Sequence, residues 1–315
     1  MGQHMAARLL SQGTAVSILC RSRRLYPVPP WASRVRWFEL DEGADKQATL
    51  LLAASSASVV YDFAGSSGAV ASNRNPLESL EANCRSQLEF LMACEMAGHR
   101  PHVVYPSSWL VYGDMGREAV SETHPLAPRS MYAIHKLCVE RYLQVFERKN
   151  SITYTICRIS NPYGFDPSKP GKAYKVLNSF IQRALAGAPI CLFGDGNQLR
   201  DFIYIDDLVD ALLLCGYSPQ AHNEVFNISS GRSHSLRDAV DMIRELVEGT
   251  PVIFKDWPEE YKEVESGSYT AEIAKARTKL GFMPAYDLKA GLEQTILQYR
   301  RQGTTPQGLG AVVKD

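Results

Sequence analysis

The chain has no net charge: its 315 residues carry 34 lysines and arginines against 34 aspartates and glutamates. A balanced surface offers no long-range field to attract nucleic acid or an anionic membrane, so an anionic ligand has to be gripped by a local cluster. No apolar run reaches the length of a membrane span, and the opening MGQHMAARLL lacks the apolar core of a signal peptide. A soluble, cytoplasmic protein with no nucleic-acid or membrane partner is expected. The seven cysteines (Cys20, Cys84, Cys94, Cys138, Cys157, Cys191 and Cys215) are odd in number and lack CxxC or Cys/His metal spacing. They read as reduced, mostly buried thiols, with no disulfide framework and no bound metal. Repeats and low-complexity tracts are also missing, and the length admits one large α/β unit or two lobes, of which two lobes fit better.

What is present is an alternation. HMAARLLSQG reads as a short helix closed by Gly13, AVSILC as a strand running into the basic turn RSRR, and WFEL as a strand ending at Asp41. A helix over ADKQATLLLAASSA, the strand ASVVYDFAG, a helix over LESLEANCRSQLEFLMACEMAG and the strand HVVYPSS follow, and SITYTICRIS is one more strand. Strands and helices at this spacing imply right-handed crossovers and a doubly wound parallel, Rossmann-like sheet. The boundaries predicted are a dinucleotide-binding unit over 1–164 and a smaller mixed α/β lobe over 165–315, with 200–216 packing back on the first unit. Ligands of such sheets bind beyond the strand carboxyl ends. Cys20 and Arg21, Asp41, Gly65, Ser108 and the SNPYG loop at 160–164 all fall there.

The most telling motif is YAIHK at 132–136, preceded by YPSSWLVYG at 105–113. On a helix Tyr132 and Lys136 share a face, so the ammonium is placed to favour the phenolate. A phenol of ordinary pKa near 10 is a poor base at neutral pH unless a cation brings it down. Ser108, at the end of its strand, can bond the same substrate oxygen. A tyrosine and a lysine four apart are also common on amphipathic helices with no catalytic part, so the weight of the motif comes from its company.

That company includes DFAG at 62–65, Asn83, RISNPYG at 158–164, FGDGNQLRDFIYIDDLVDA at 193–211, VFNISSG at 225–231 and the closing KLGFMPAYDLKAGLEQTI. In this order they resemble an extended short-chain dehydrogenase/reductase of the nucleotide-sugar epimerase and dehydratase group, over nearly the whole chain. The resemblance implies a nicotinamide cofactor, NAD or NADP, that accepts hydride from a sugar hydroxyl. Ser108, Tyr132 and Lys136 would be catalytic. Gly2, Arg21, Arg24, Asp41, Phe63, Ala64, Gly65, Asn83, Tyr132 and Lys136 would hold the cofactor, and Ser108, Asn161, Arg200 and Lys262 the substrate. The helices at 76–98 and 131–148 correspond to those that pair relatives as homodimers through a four-helix seam.

The match has departures. Relatives begin with a strand and GxxGxxG, whereas here Met1 precedes what resembles the third glycine, Gly2. The expectation is a sheet whose first, central strand and glycine turn are missing, either because the sequence starts roughly ten residues late, judged from the usual length of such a unit, or because the cofactor site is degenerate. Where NAD-specific relatives end the second strand in an acid, this chain has Cys20 followed by Arg21, Ser22, Arg23 and Arg24, which favours the 2′-phosphate of NADP over a solvated basic turn. Trp109 and Leu110 stand where related dehydratases carry Asp-Glu, and apolar side chains supply neither the acid nor the base that loss of water needs. Near the C-terminus the relatives' RxGD arginine is missing from EEYKEVESGSYTAE, leaving Lys262 as a less directional substitute. Arg200 is open to two readings, a phosphate ligand or a salt-bridge partner of Asp201, Asp206 or Asp207, and Asn161 to two more, a ligand or a turn residue before Pro162. The function expected is a nucleotide-sugar epimerase, with a keto-sugar reductase or a non-catalytic nucleotide-sugar-binding relative as alternatives.

Overall fold

The computed structural model describes residues 1–21, 28–40, 45–116, 118–166 and 176–302. It opens on helix α1 (Gly2–Ser11), whose Met5, Ala6, Leu9 and Leu10 form one buried face at helical spacing. Strand β1 (Ser17–Cys20) then pairs in parallel with β2 (Arg36–Glu39). Helix α2 (Lys46–Ser55) starts where the Asp45 carboxylate accepts from the backbone N–H of Ala48 at 3.1 Å. After β3 (Val59–Tyr61) and α3 (Ala69–Arg74), the helix expected across 77–98 runs without a break and holds a π-helical turn. It consists of α4 (Pro76–Leu80), the π-helical turn (Glu81–Arg85) and α5 (Ser86–Ala97), closed by Gly98. The π turn packs on the next long helix, and π turns of this kind recur at functional sites.

Strand β4 (His102–Ser108) is buried along its whole length. Helix α6 (Met131–Arg148) begins at Ser130, whose hydroxyl accepts from Ala133 N–H, and β5 (Thr153–Ile159) follows it. Beyond come β6 (Asn161–Tyr163), α7 (Val176–Leu185), β7 (Ile190–Phe193), β8 (Leu199–Tyr204), α8 (Ile205–Tyr217) and β9 (Glu224–Ile228). The chain finishes with β10 (Ser233–Ser235), α9 (Leu236–Leu246), β11 (Val252–Lys255), α10 (Glu259–Val264), α11 (Ala274–Leu280) and α12 (Leu288–Arg301).

The central sheet runs β3-β4-β5-β9, parallel throughout, with β4 and β5 in register from His102 opposite Thr153 to Ser108 opposite Ile159. The β1-β2 ribbon is a separate two-stranded sheet. Thus β1 bonds only to β2 and β3 only to β4, and among the described residues each has one edge with no strand on it. Their side chains are only half-buried, in contrast to β4 and β5. The smaller sheets are β10-β8-β6 and β11-β7. Residues of the second half return to the first: α8 packs on β3, β4 and β5, and β9 forms the far edge of the central sheet. One apolar cluster accordingly joins Met5 and Leu9 to Val104, Phe226, Leu292 and Tyr299. No helix of the described residues is long and apolar enough to cross a membrane.

Candidate active site

Strand β4 and helix α6 build the centre. Ser108 is the last residue of β4, and its hydroxyl accepts from Leu110 N–H at 3.3 Å as the chain turns into Trp109–Tyr112. That turn ends at Gly113 (φ +77), where a Cβ would come within 1.9 Å of the Ala127 carbonyl oxygen, so the glycine of VYG is a steric requirement. The first turn of α6 is anchored from α3: Ser72 Oγ accepts from Tyr132 N–H and Asn73 Oδ1 from Met131 N–H, both at 2.9 Å. This fixes where the Tyr132 ring emerges. Its hydroxyl is close enough to the Ser108 side chain for the serine to act on its ionisation.

Lys136, one turn along α6, is buried. Its Nζ donates to the Pro106 carbonyl at 2.7 Å and lies 4.6 Å from the Tyr105 ring centroid and 5.8 Å from that of Tyr132. Burial lowers its pKa to about 8 against the opposing charges of Asp62 and Glu140. Burial likewise pushes Tyr132 up to about 12, with only the Ser108 hydrogen bond acting to lower it. The depressed phenol expected from the YxxxK spacing is therefore not found in this state: desolvation dominates, and the ammonium points at the Pro106 carbonyl.

Beside Lys136 lies the turn after β3. Asp62 accepts from Ala64 N–H at 3.1 Å, and its carboxyl is pushed up to about 6 by burial, opposed by the Lys136 charge. Gly65 (φ +129) sits so close to Asn83 that a Cβ would meet Oδ1 at 2.4 Å. Asn83, buried in the π turn, accepts from Ser66 N–H at 3.0 Å and donates to Ser66 and Ser79 hydroxyls, while Gln87 donates to the Ala64 carbonyl. Its side chain braces the turn from beneath. Phe63 packs against Gly2 at the start of α1, where no side chain caps the helix and the first turn holds no acid.

These residues fit a dinucleotide. An uncapped helix start facing a bare, close-packed glycine turn suits a pyrophosphate, and Tyr132 and Lys136 stand on the same side. Arg21 is exposed just past β1, while Arg24 and Asp41 lie outside the described residues.

On the other side, Asn161 Nδ2 donates to the Asp201 carbonyl at 3.0 Å. The Arg200 guanidinium, from β8, reaches neither Asp201, Asp206 nor Asp207. It donates to both carboxylate oxygens of Glu265, at 2.6 and 2.7 Å, and lies over the Trp109 ring at 5.7 Å. Asp201 is buried and taken up by Ser230, Gly231 and Ala271 N–H groups. Lys262 projects from exposed α10 and pairs with Glu259 at 3.0 Å, so it is Glu265 that this segment brings to Arg200. Trp109 stacks on Tyr269 with centroids 4.7 Å apart, filling the position with aromatic surface.

Sequence reasoning passed over three groups. Asp62 lay within the quoted DFAG motif but was not singled out. Glu265 lay in a stretch read for its missing arginine. The buried ion pair of Glu140 and Arg158, at 2.8 Å, gave no local signal because its halves come from α6 and β5.

A parallel sheet with serine, tyrosine and lysine gathered at its strand carboxyl ends defines a short-chain dehydrogenase/reductase. Residues 1–229 match the NAD dependent epimerase/dehydratase family, and the chain belongs to it. It is 28% identical over 260 residues to a UDP-glucose 4-epimerase of Mycolicibacterium smegmatis, covering 82% of this chain and 81% of that one. With a UDP-glucose 4-epimerase of Azospirillum brasilense it shares 30% identity over 257 residues, 77% of this chain and 72% of the relative. A Methanocaldococcus jannaschii relative is 34% identical over 195 residues, and the match spans 62% of this chain and 61% of that relative's length. Among solved structures, the UDP-glucose 4-epimerase of Thermotoga maritima with UDP-glucose superposes with a TM-score of 0.83 at 26% identity, covering 96% of each chain. MoeE5 in complex with UDP-glucuronic acid and NAD gives 0.83 at 28%, again over 96% of each.

Proposed function

We propose that the protein is an NAD(P)-dependent nucleotide-sugar epimerase. The observation that carries this reading is the convergence of Tyr132 and Ser108 beside buried Lys136, in a chain of this family. A nicotinamide cofactor held by the turn at Phe63–Gly65 and by Tyr132 and Lys136 would supply reversible acceptance of hydride from the sugar carbon. Ser108 holds the reacting hydroxyl, Tyr132 takes its proton as the ketone forms and gives it back after the sugar has turned its other face, and Lys136 supplies the cation beside the phenolate. Asn161 and Arg200 are assigned to the nucleotide diphosphate. Trp109, stacked on Tyr269, and Leu110 supply no acid or base, which weighs against water elimination.

A keto-sugar reductase is the second reading, and Arg21 beyond Cys20, a pattern suited to NADP, favours it. Incubation with a panel of nucleotide sugars and each cofactor separates the two. An epimerase interconverts two sugars with no net change in absorbance of the reduced nicotinamide, whereas a reductase consumes NADPH in proportion to product. Nucleotide-sugar binding with neither outcome would overturn both readings in favour of a non-catalytic relative. A second copy of the chain is assigned to the face of α5 and α6, where Met92, Met96, Met131, Ile134 and Val145 are exposed. Sedimentation equilibrium that returned a monomer would overturn that assignment.

A further inference from the structure

Arg200 is the one cation assigned to the substrate's diphosphate in the proposed function, yet both its terminal nitrogens are already engaged. One terminal nitrogen is fixed by backbone, donating to the Leu199 and Gly267 carbonyls at 2.9 and 2.8 Å. The other donates to both oxygens of Glu265. Both N–H groups of that nitrogen are taken by the carboxylate, so a phosphate oxygen can claim them only by displacing it.

Glu265 is also the partner built to leave. Its side chain is 26% exposed against 11% for Arg200. It directly follows α10, a six-residue helix with no side-chain cap and no buried residue. The segment is held by the ion pairs of Glu265 to Arg200 and Glu260 to Arg74 of α3 and by Tyr261 resting on Phe193, so the exchange needs only the Glu265 side chain to swing away. Arg200 stays, because the Leu199 and Gly267 carbonyls and the Trp109 ring hold it while the backbone of this segment keeps its position. The neighbouring Asp201 carboxylate does not replace Glu265, being bound to Ser230, Gly231 and Ala271. A nearly buried guanidinium left alone is costly, and an incoming anion removes that cost. Because Trp109 adjoins Ser108, the exchange happens at the edge of the catalytic centre.

We propose that Glu265 is a built-in competitor for the substrate's anionic group, a carboxylate that occupies Arg200 in the free protein and that a diphosphate displaces on binding. This rests on the nucleotide-sugar reading and makes Glu265 a specificity-determining residue, selecting ligands that carry a diphosphate over singly charged sugars.

The test is calorimetric titration of UDP and dTDP into the full chain, wild type and Glu265→Gln, with Glu265→Ser as a second charge-removing variant and thermal melting to verify folding. Removal of the competing charge is expected to tighten diphosphate binding by roughly five- to tenfold, and the gain is expected to vanish in the Arg200→Gln background. If Glu265 merely braces the loop, both variants bind as wild type or more weakly, and the proposal is overturned while the nucleotide-sugar reading stands. If neither diphosphate binds any form, that reading fails and the proposal with it.

Discussion

Lys136 Nζ donates to the backbone carbonyl of Pro106 at 2.7 Å, joining the first turns of α6 to β4 two residues before Ser108. The ammonium thus fixes the distance between the strand that carries the serine and the helix that carries the tyrosine, besides its electrostatic part. Substitution Lys136→Met should therefore do two things. It should lower kcat/KM by at least about 100-fold, and it should destabilise the fold by about 1–3 kcal/mol, since the Pro106 carbonyl loses its donor. Urea unfolding alongside steady-state kinetics reads both, and an inactive variant of unchanged stability would contradict the anchoring role.

Tyr132→Phe removes the proton carrier while leaving the ring. Turnover is expected to fall by about 100- to 10,000-fold, with UDP affinity unchanged, because Arg200 and Asn161 are untouched. Calorimetry and product chromatography together check this, and a variant retaining more than a tenth of the activity would remove Tyr132 from the mechanism.

The Glu140–Arg158 pair is 1% and 4% exposed, and Ser107 Oγ also donates to Glu140. Breaking a buried pair from one side strands a charge, so Glu140→Ala should cost about 3–5 kcal/mol. The double replacement Glu140→Leu with Arg158→Met should cost less than either single change, because no charge is left behind. Denaturant midpoints decide it, and additive losses would show that the two residues do not act as a pair.

His102 bonds Thr153 and Thr155 and stacks on His222 with centroids 4.3 Å apart. Burial, and then the His222 charge, lower its pKa from 6.5 to about 4. Since the folded value lies below the unfolded one, its contribution is fully present above about pH 6.5 and is lost as pH falls through about 4. Asp62 and Asp201, both pushed up to about 6, work the other way: their contribution is present below the unfolded value near 3.8 and is lost as pH rises through 6. The comparison with His102→Asn isolates the histidine. Wild type should lose up to about 3 kcal/mol more than the variant on acidification, and parallel stability curves would refute the assignment.

Much of this site was legible along the chain. The alternation of strand and helix, the Ser108 turn and the YAIHK spacing depend on neighbours within a few residues, where local geometry dictates which side chains share a face or end a strand. Family membership followed from the order of such local motifs. The π turn within 76–97 was not legible, because the local apolar period does not distinguish it from the α-helix around it, and it packs on α6.

By itself the amino-acid sequence determined the elements, their order and the identity of the serine, tyrosine and lysine at the strand ends. Only tertiary structure decided the charge states and partners. It is burial, a property of the whole packed chain, that raises Tyr132 and Asp62 and lowers Lys136. Arg200 meets Glu265 across 65 residues of chain, when the sequence had offered only the nearby Asp201, Asp206 and Asp207. Coulomb and desolvation energies depend on distance in space, which sequence separation does not measure, and so the chemistry of this site was settled where distant segments came together.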